Sequence, residues 1–451
     1  MRCRGIGLRT ILVAAVVAAA LAAPKLVFAQ AGVVVDAEGV LSLKARADLG
    51  NQLGKQHAAA ARNVPGAKAA SHSSLRKVSL NRLEQAIRDH QKAVTDEMRC
   101  LAGLLRVRYV FFYPDSGDIV LAGPAEAWTA DAVGRMVGVQ SGRPVLQLAD
   151  LCVALRCFPP GGEPTRLIGC SIDPTPEGLD AMQRFLRSVG STATPSDTQY
   201  IVHGLQTNLG LQTISVNGVS PKTHFAAVLV EADYRMKLIG IGLERPPVRL
   251  VSYVDRASPS QISRNALVRW FFTPDYECVR TSGDGLAMEL VGDGVKVVGE
   301  DELVAAGGQR QAAGHGDRAS QAFVTSFTKL YSELADRSPI YAELRNLIDL
   351  SVAAAYLQHE NIYGKAGWTM DLLGDEQTVS VETYNAPKQV ATAVNAIWRG
   401  HTLLTPVGGG VQIQPLLALD TSNRLPDKDG KLAKTRPQIK PDLAKGQWWW
   451  D

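Results

Sequence analysis

The sequence predicts an α+β protein: a mixed sheet with flanking helices, followed by a mostly helical C-terminal segment. Three observations carry that reading. Short β-branched and aromatic runs such as 107–113 (VRYVFFY) alternate with stretches whose apolar residues recur at helical spacing. Apolar residues make up 46% of the chain and charged residues 20%, a composition able to bury a sizeable core. At 451 residues the chain has room for two domains of ordinary size.

Residues 1–29 have the three parts of a cleavable secretory signal peptide in order. Arg2, Arg4 and Arg9 form a basic start, residues 11–23 (ILVAAVVAAALAA) are an apolar run, and Val27-Phe28-Ala29 offers modest side chains before Gln30. The apolar run is too short to span a bilayer as a helix, and no later stretch is long and apolar enough to do so. The chain is therefore expected to be exported, to the periplasm or beyond. Four of the 48 Lys and Arg residues lie in this leader, which leaves 44 against 44 Asp and Glu. An electroneutral product has no general attraction for nucleic acid or anionic lipid.

Residues 30–75 are rich in Ala, Gly, Ser and Gln without a period, and read as a flexible leader or linker. An α+β domain is expected over 76–303. It opens with a helix running from near Ser79 to about Leu104, on Leu80, Leu83, Ile87, Val94, Met98 and Leu101. The 107–113 strand returns through the turn residues 114–117 (PDSG) into 119–122. Two short helices follow, over 129–139 and 147–156, then a strand over 166–172 and a helix capped by Thr175 with Pro176 in its first turn. The clearest helix begins at Ser220-Pro221 and places Phe225, Val228, Leu229, Ala232, Met236 and Ile239 on one repeat. Strands are expected over 250–254, 268–273 and 286–291. A helical hairpin segment covers 318–419, and 420–451 reads as a disordered basic tail ending in Trp448-Trp449-Trp450.

Five cysteines remain after cleavage: Cys100, Cys152, Cys157, Cys170 and Cys278. Export favours pairing, and a Cys157–Cys170 bridge would close a short loop at modest entropic cost. The alternative is five buried small hydrophobes. The chain lacks Cys-x-x-Cys, His-Glu-x-x-His, Gly-x-Ser-x-Gly and the phosphate-binding glycine loop, so no metal or cofactor is expected from motifs.

Three groups of residues are candidates for a site. Glu231 and Arg235, and Asp233 and Lys237, are spaced four apart with the acid first, the favourable order for pairing on a helix. A solvated, self-paired face is one reading. The other is a carboxylate pair for acid–base work, joined by His224 from the start of the same helix. Glu126 and Trp128 form the second group, in 123–128 (GPAEAW) directly after a strand, where binding surfaces often lie. Here the alternative is a turn whose Trp plugs the core. The third is the basic tail, whose three tryptophans could touch an anionic surface or membrane interface, the alternative being a solvated tail whose aromatic end docks on its own body or a neighbour.

Residues 123–128, 227–237 (AVLVEADYRMK), 284–292 (DGLAMELVG), 341–351 (YAELRNLIDLS) and 408–411 (GGGV) together resemble a family of exported proteins known mainly from planctomycete bacteria and named only as a domain of unknown function. The resemblance implies export and supplies no catalytic residue. The expected function is thus a non-enzymatic binding or cell-envelope-associated protein with an envelope or extracellular partner. The alternative is a carboxylate-dependent hydrolase with a site near Glu231, Asp233 and His224.

Overall fold

The computed structural model describes residues 32–43, 71–131, 133–190, 194–257, 266–304, 310–312, 318–395, 398–399, 402–403, 407–441 and 443–451. The expected signal peptide lies outside the described residues.

The fold is α+β, as the alternation of strand and helix signals predicts. A nine-stranded mixed sheet runs edge to edge through Val33–Val35, Val40–Leu43, Gln389–Ala391, Leu211–Asn217, Ile168–Asp173, Val407–Ile413, Ala266–Pro274, Val295–Val304 and Arg310–Ala312. Its pairs are antiparallel except at 389–390 against 40–41 and at 268–272 against 407–411. A six-stranded antiparallel sheet runs through Val279–Thr281, Ala287–Leu290, Tyr109–Tyr113, Asp118–Ala125, Ser73–Ser79 and Trp449–Trp450. Among the described residues no helix is long and apolar enough to cross a membrane.

Three helices position the site: α1 (Leu148–Arg156), α2 (His224–Gly240) and α3 (Pro339–His359). One side of α2 lies on the strands Ile168–Asp173 and Val407–Ile413, and the other meets α1 and α3. All its residues except Tyr234 and Arg235 are consequently buried. Such close seating needs glycine beneath it. A Cβ on Gly409, where φ is +135°, would lie 1.8 Å from the Trp270 carbonyl oxygen, and one on Gly240 would strike the Trp270 ring at 1.9 Å. α3 is buried from Ile340 to Leu357 and joins α2 to the six-stranded sheet. Tyr356 donates to the Gly285 carbonyl at 2.9 Å and Asn346 to that of Leu105 at 3.0 Å.

Several expectations are corrected. Residues 33–35 and 40–43, expected within a flexible leader, form the edge of the nine-stranded sheet, since a valine-rich pair can bury Val33 and Leu41. The long helix from Ser79 ends at Asp89, because Gln91 and Lys92 adopt positive φ, and only short turns resume at Asp96. The segment 129–139 is a hairpin, Trp128–Ala130 against Met136–Gly138. The cap of α2 is Thr223, whose hydroxyl accepts from Ala226 N and donates to the Ser220 carbonyl.

The described residues of the basic tail pack on the body of the protein. Trp449–Trp450 pairs with Ser73–Ser79, Trp448 is buried, and the Asp451 carboxylate takes Nε and Nη2 of the fully buried Arg76 at 2.8 and 2.9 Å. Charge content suggested disorder, but backbone pairing and three indoles supply the burial it lacked. The five described cysteines are buried and unbridged, so the Cys157–Cys170 disulfide is absent. A backbone bond from Thr165 N to the Cys157 carbonyl closes that loop instead.

Candidate functional site

Along α2 the side chains of Glu231 and Asp233 diverge, because two residues advance a helix by about 200°. Each therefore enters a different polar environment, and both carboxylates are fully buried.

Glu231 belongs to a ladder of alternating charge. Its Oε2 accepts from Arg135 Nη2 at 2.6 Å and Gly32 N at 2.8 Å, and its Oε1 accepts from Arg235 Nε at 2.8 Å. Arg235 continues to Glu244 at 2.9 Å, and Arg135 Nε donates to Glu343 Oε2, also at 2.9 Å. The other oxygen of Glu343 lies 3.9 Å from His224 Nε2, and the Nδ1 of that imidazole is 2.9 Å from Asp150. Burial alone would raise the Glu231 pKa, but Arg135 and Arg235 hold it below the ordinary value. Burial raises that of Glu343 against the pull of Arg135 and His224. For His224 burial favours the neutral ring, and the Asp150 carboxylate overcomes it, so its pKa is raised. A protonated His224 completes the alternation of sign.

Asp233 faces the sheet. Its Oδ2 accepts from Lys237 Nζ at 2.7 Å, and the same ammonium donates to the carbonyls of Ile172 and Gly409 at 3.1 and 3.2 Å. Asp233 Oδ1 makes no hydrogen bond among the described residues. Burial outweighs the Lys237 charge and pushes the acid up to about 6. The pair ties α2 to two strands of the large sheet.

The ladder ends beneath a cleft of about 900 Å³. Gln147, at the start of α1, lines the cleft and reaches His224 Nε2 at 3.4 Å. Tyr384 lines it too and packs its ring against His224 with centroids 5.8 Å apart. Trp128, Thr378, Ser380 and Thr383 add an indole and three hydroxyl groups. His224 itself is buried behind this wall.

The structure thus brings His224 and Glu231 into one network and sends Asp233 elsewhere. It also separates the second pair of candidates. Trp128 borders the cleft, whereas Glu126 is buried and accepts from the backbone N–H and hydroxyl of Ser141, underneath Gly138. Sequence reasoning missed Arg135, Asp150 and Glu343. Asp150 is a lone acid in an otherwise apolar helix turn, which was the available signal, whereas Glu343 shares its stretch of helix with Arg345, Asn346 and Asp349. Arg135, in a hairpin loop, gave none. Among the described residues no group of three or more His, Cys, Asp or Glu is arranged to hold a metal.

Fold and site define an α+β protein built round a buried ionic ladder. Residues 170–253 match the family described as a protein of unknown function (DUF1598). The match contains His224, Glu231, Asp233, Arg235 and Glu244, while Arg135, Asp150 and Glu343 lie outside it. No curated protein and no solved structure matches the chain.

Proposed function

We propose that this is an exported binding protein of the cell envelope that takes a hydroxyl-rich chain, such as an envelope saccharide, into the cleft beside Trp128, whose wall also carries Lys92, Asp96 and Arg99. One observation carries the reading: the cleft offers aromatic faces from Trp128 and Tyr384 beside the amide of Gln147 and the hydroxyls of Thr378, Ser380 and Thr383. Aromatic faces cover the apolar side of a sugar ring while amides and hydroxyls bond its edge. The leader pattern of residues 1–29 supports export.

The acid–base alternative fares less well. Glu231 already accepts from three donors and Asp233 is held against the sheet, so neither offers an oxygen to a molecule in the cleft. What favours it is His224, paired with Asp150 and one side chain from the cleft through Gln147.

Fluorescence titration with soluble envelope oligosaccharides tests the binding reading. Saturable quenching is expected, with at least about tenfold weaker binding in Trp128→Ala, since losing an aromatic stacking platform from a binding groove costs about 1–3 kcal/mol. Unchanged affinity in that variant, or turnover of the oligosaccharide that Asp150→Asn abolishes, would replace this reading with the hydrolase. N-terminal sequencing of protein from producing cells checks export: the expected first residue is Gln30.

A further inference from the structure

A second cavity, of about 420 Å³, lies where the six-stranded sheet meets α3, remote in its residues from the Trp128 cleft. Four arginines line it: Arg106, Arg108, Arg143 and Arg345. Arg143 is partly exposed and bonds Asp336 at 2.6 Å. Arg106 is held from behind by Asp349, at 2.6 and 3.3 Å. Among the described residues the Arg108 side chain hydrogen-bonds the Gly292 carbonyl, at 3.5 Å, and no other group.

Arg345 differs from these three. Its side chain is 7% exposed, and its closest carboxylate, Asp293, is 3.5 Å from Nη1 and itself partly exposed. Among the described residues Nε of Arg345 makes no hydrogen bond. Burial and the neighbouring Arg106 charge both push its pKa below the ordinary arginine value. A guanidinium presents five donors, and a buried one ordinarily satisfies them. The four arginines meet three aspartates, Asp293, Asp336 and Asp349, which leaves the cavity with positive charge in excess.

We propose that this cavity binds a small oxyanion, a phosphate or carboxylate group, with Arg345 as its buried anchor and Arg106 and Arg108 beside it. Guanidinium forks match the planar or tetrahedral oxygens of such groups and form charge-assisted bonds with them. The volume admits a small molecule carrying the anion as well as the free ion. The site shares no residue with the cleft, so it stands whether or not the saccharide reading holds.

Calorimetric titration of the purified protein with inorganic phosphate, and separately with succinate, at ionic strength fixed by sodium chloride, tests the site. Saturable binding of one anion is expected, and which one binds tells phosphate from carboxylate. Arg345→Gln should weaken it at least about tenfold, while Arg88→Gln, a surface arginine paired with Asp371, should leave it unchanged. Should Arg345→Gln fail to fold, the partly exposed Arg108→Gln gives the same reading, with a loss of about threefold or more. Absence of saturable binding by both anions, or equal affinity in the wild type and the folded Arg345 or Arg108 variant, would overturn the proposal.

Discussion

Arg135 holds two carboxylates, Glu231 and Glu343, in a place from which solvent is excluded. Removing one partner of such a pair strands the other in low dielectric, so the members of the cluster are expected to act as a unit. His224 gives it a pH dependence whose sign can be worked out. Its pKa is raised in the folded protein, so the protonated ring contributes stability fully below its unfolded value of about 6.5. That contribution is lost as pH rises through the folded value. Glu343, also raised, acts in the same direction at lower pH, beginning near its unfolded 4.5. Urea midpoints measured from pH 5.5 to 8.5 should therefore fall as pH rises, and Asp150→Asn should flatten the slope above about 6.5. A slope identical in that variant would mean that Asp150 does not set the His224 titration. The two pairs on α2 could be read from their four-residue spacing, and both form. Their burial could not, because the same spacing serves a solvated face equally well. What decides the matter is Arg135, 96 residues from Glu231, and Glu343, 208 residues from Arg135.

At the scale of elements, local chemistry was legible where it is self-contained. Thr175 caps its helix by accepting from Gly178 N at 3.0 Å, with Pro176 in the first turn, and the hairpin of Tyr109–Tyr113 with Asp118–Ala125 closes through the expected turn. Elements that depend on distant partners were not. The hairpin Trp128–Ala130 with Met136–Gly138 carries apolar residues at a spacing that also suits a helix, and its pairing is settled by tertiary contacts. The C-terminal strand is the clearest case. Its pairing with Ser73–Ser79, the Trp449 Nε1 bond to Glu97 at 2.9 Å and the Arg76 guanidinium 4.6 Å from the Trp449 ring centroid all come from the other end of the sequence. Trp448 is 5% exposed, so Trp448→Ala should cost about 3 kcal/mol or more, read as a lowered urea midpoint. A change under about 0.5 kcal/mol would show the strand to be peripheral to folding.

On the scale of the molecule, the expected division between 76–303 and 318–419 does not appear in the large sheet. Val407–Ile413 lies between Ile168–Asp173 and Ala266–Pro274, and α3 packs on α2. In the run 408–410 (GGG) glycine is required because a Cβ on Gly410 would come 2.0 Å from the Cys170 carbonyl oxygen. Cleavage of the chain between 304 and 318 should accordingly leave two fragments that co-elute on gel filtration and melt in one transition. Separate elution under native conditions would mean that the halves fold independently.

The bond from Gly32 N to Glu231 fastens the start of the sheet to the centre of the protein. A peptidase cutting before Gln30 would act about 7 Å of chain away from that anchor. Its extended substrate groove and the folded core would then compete for the same few residues. If the chain takes the proposed route out of the cell, trimming would have to precede folding, and a chain that folded early would keep its leader.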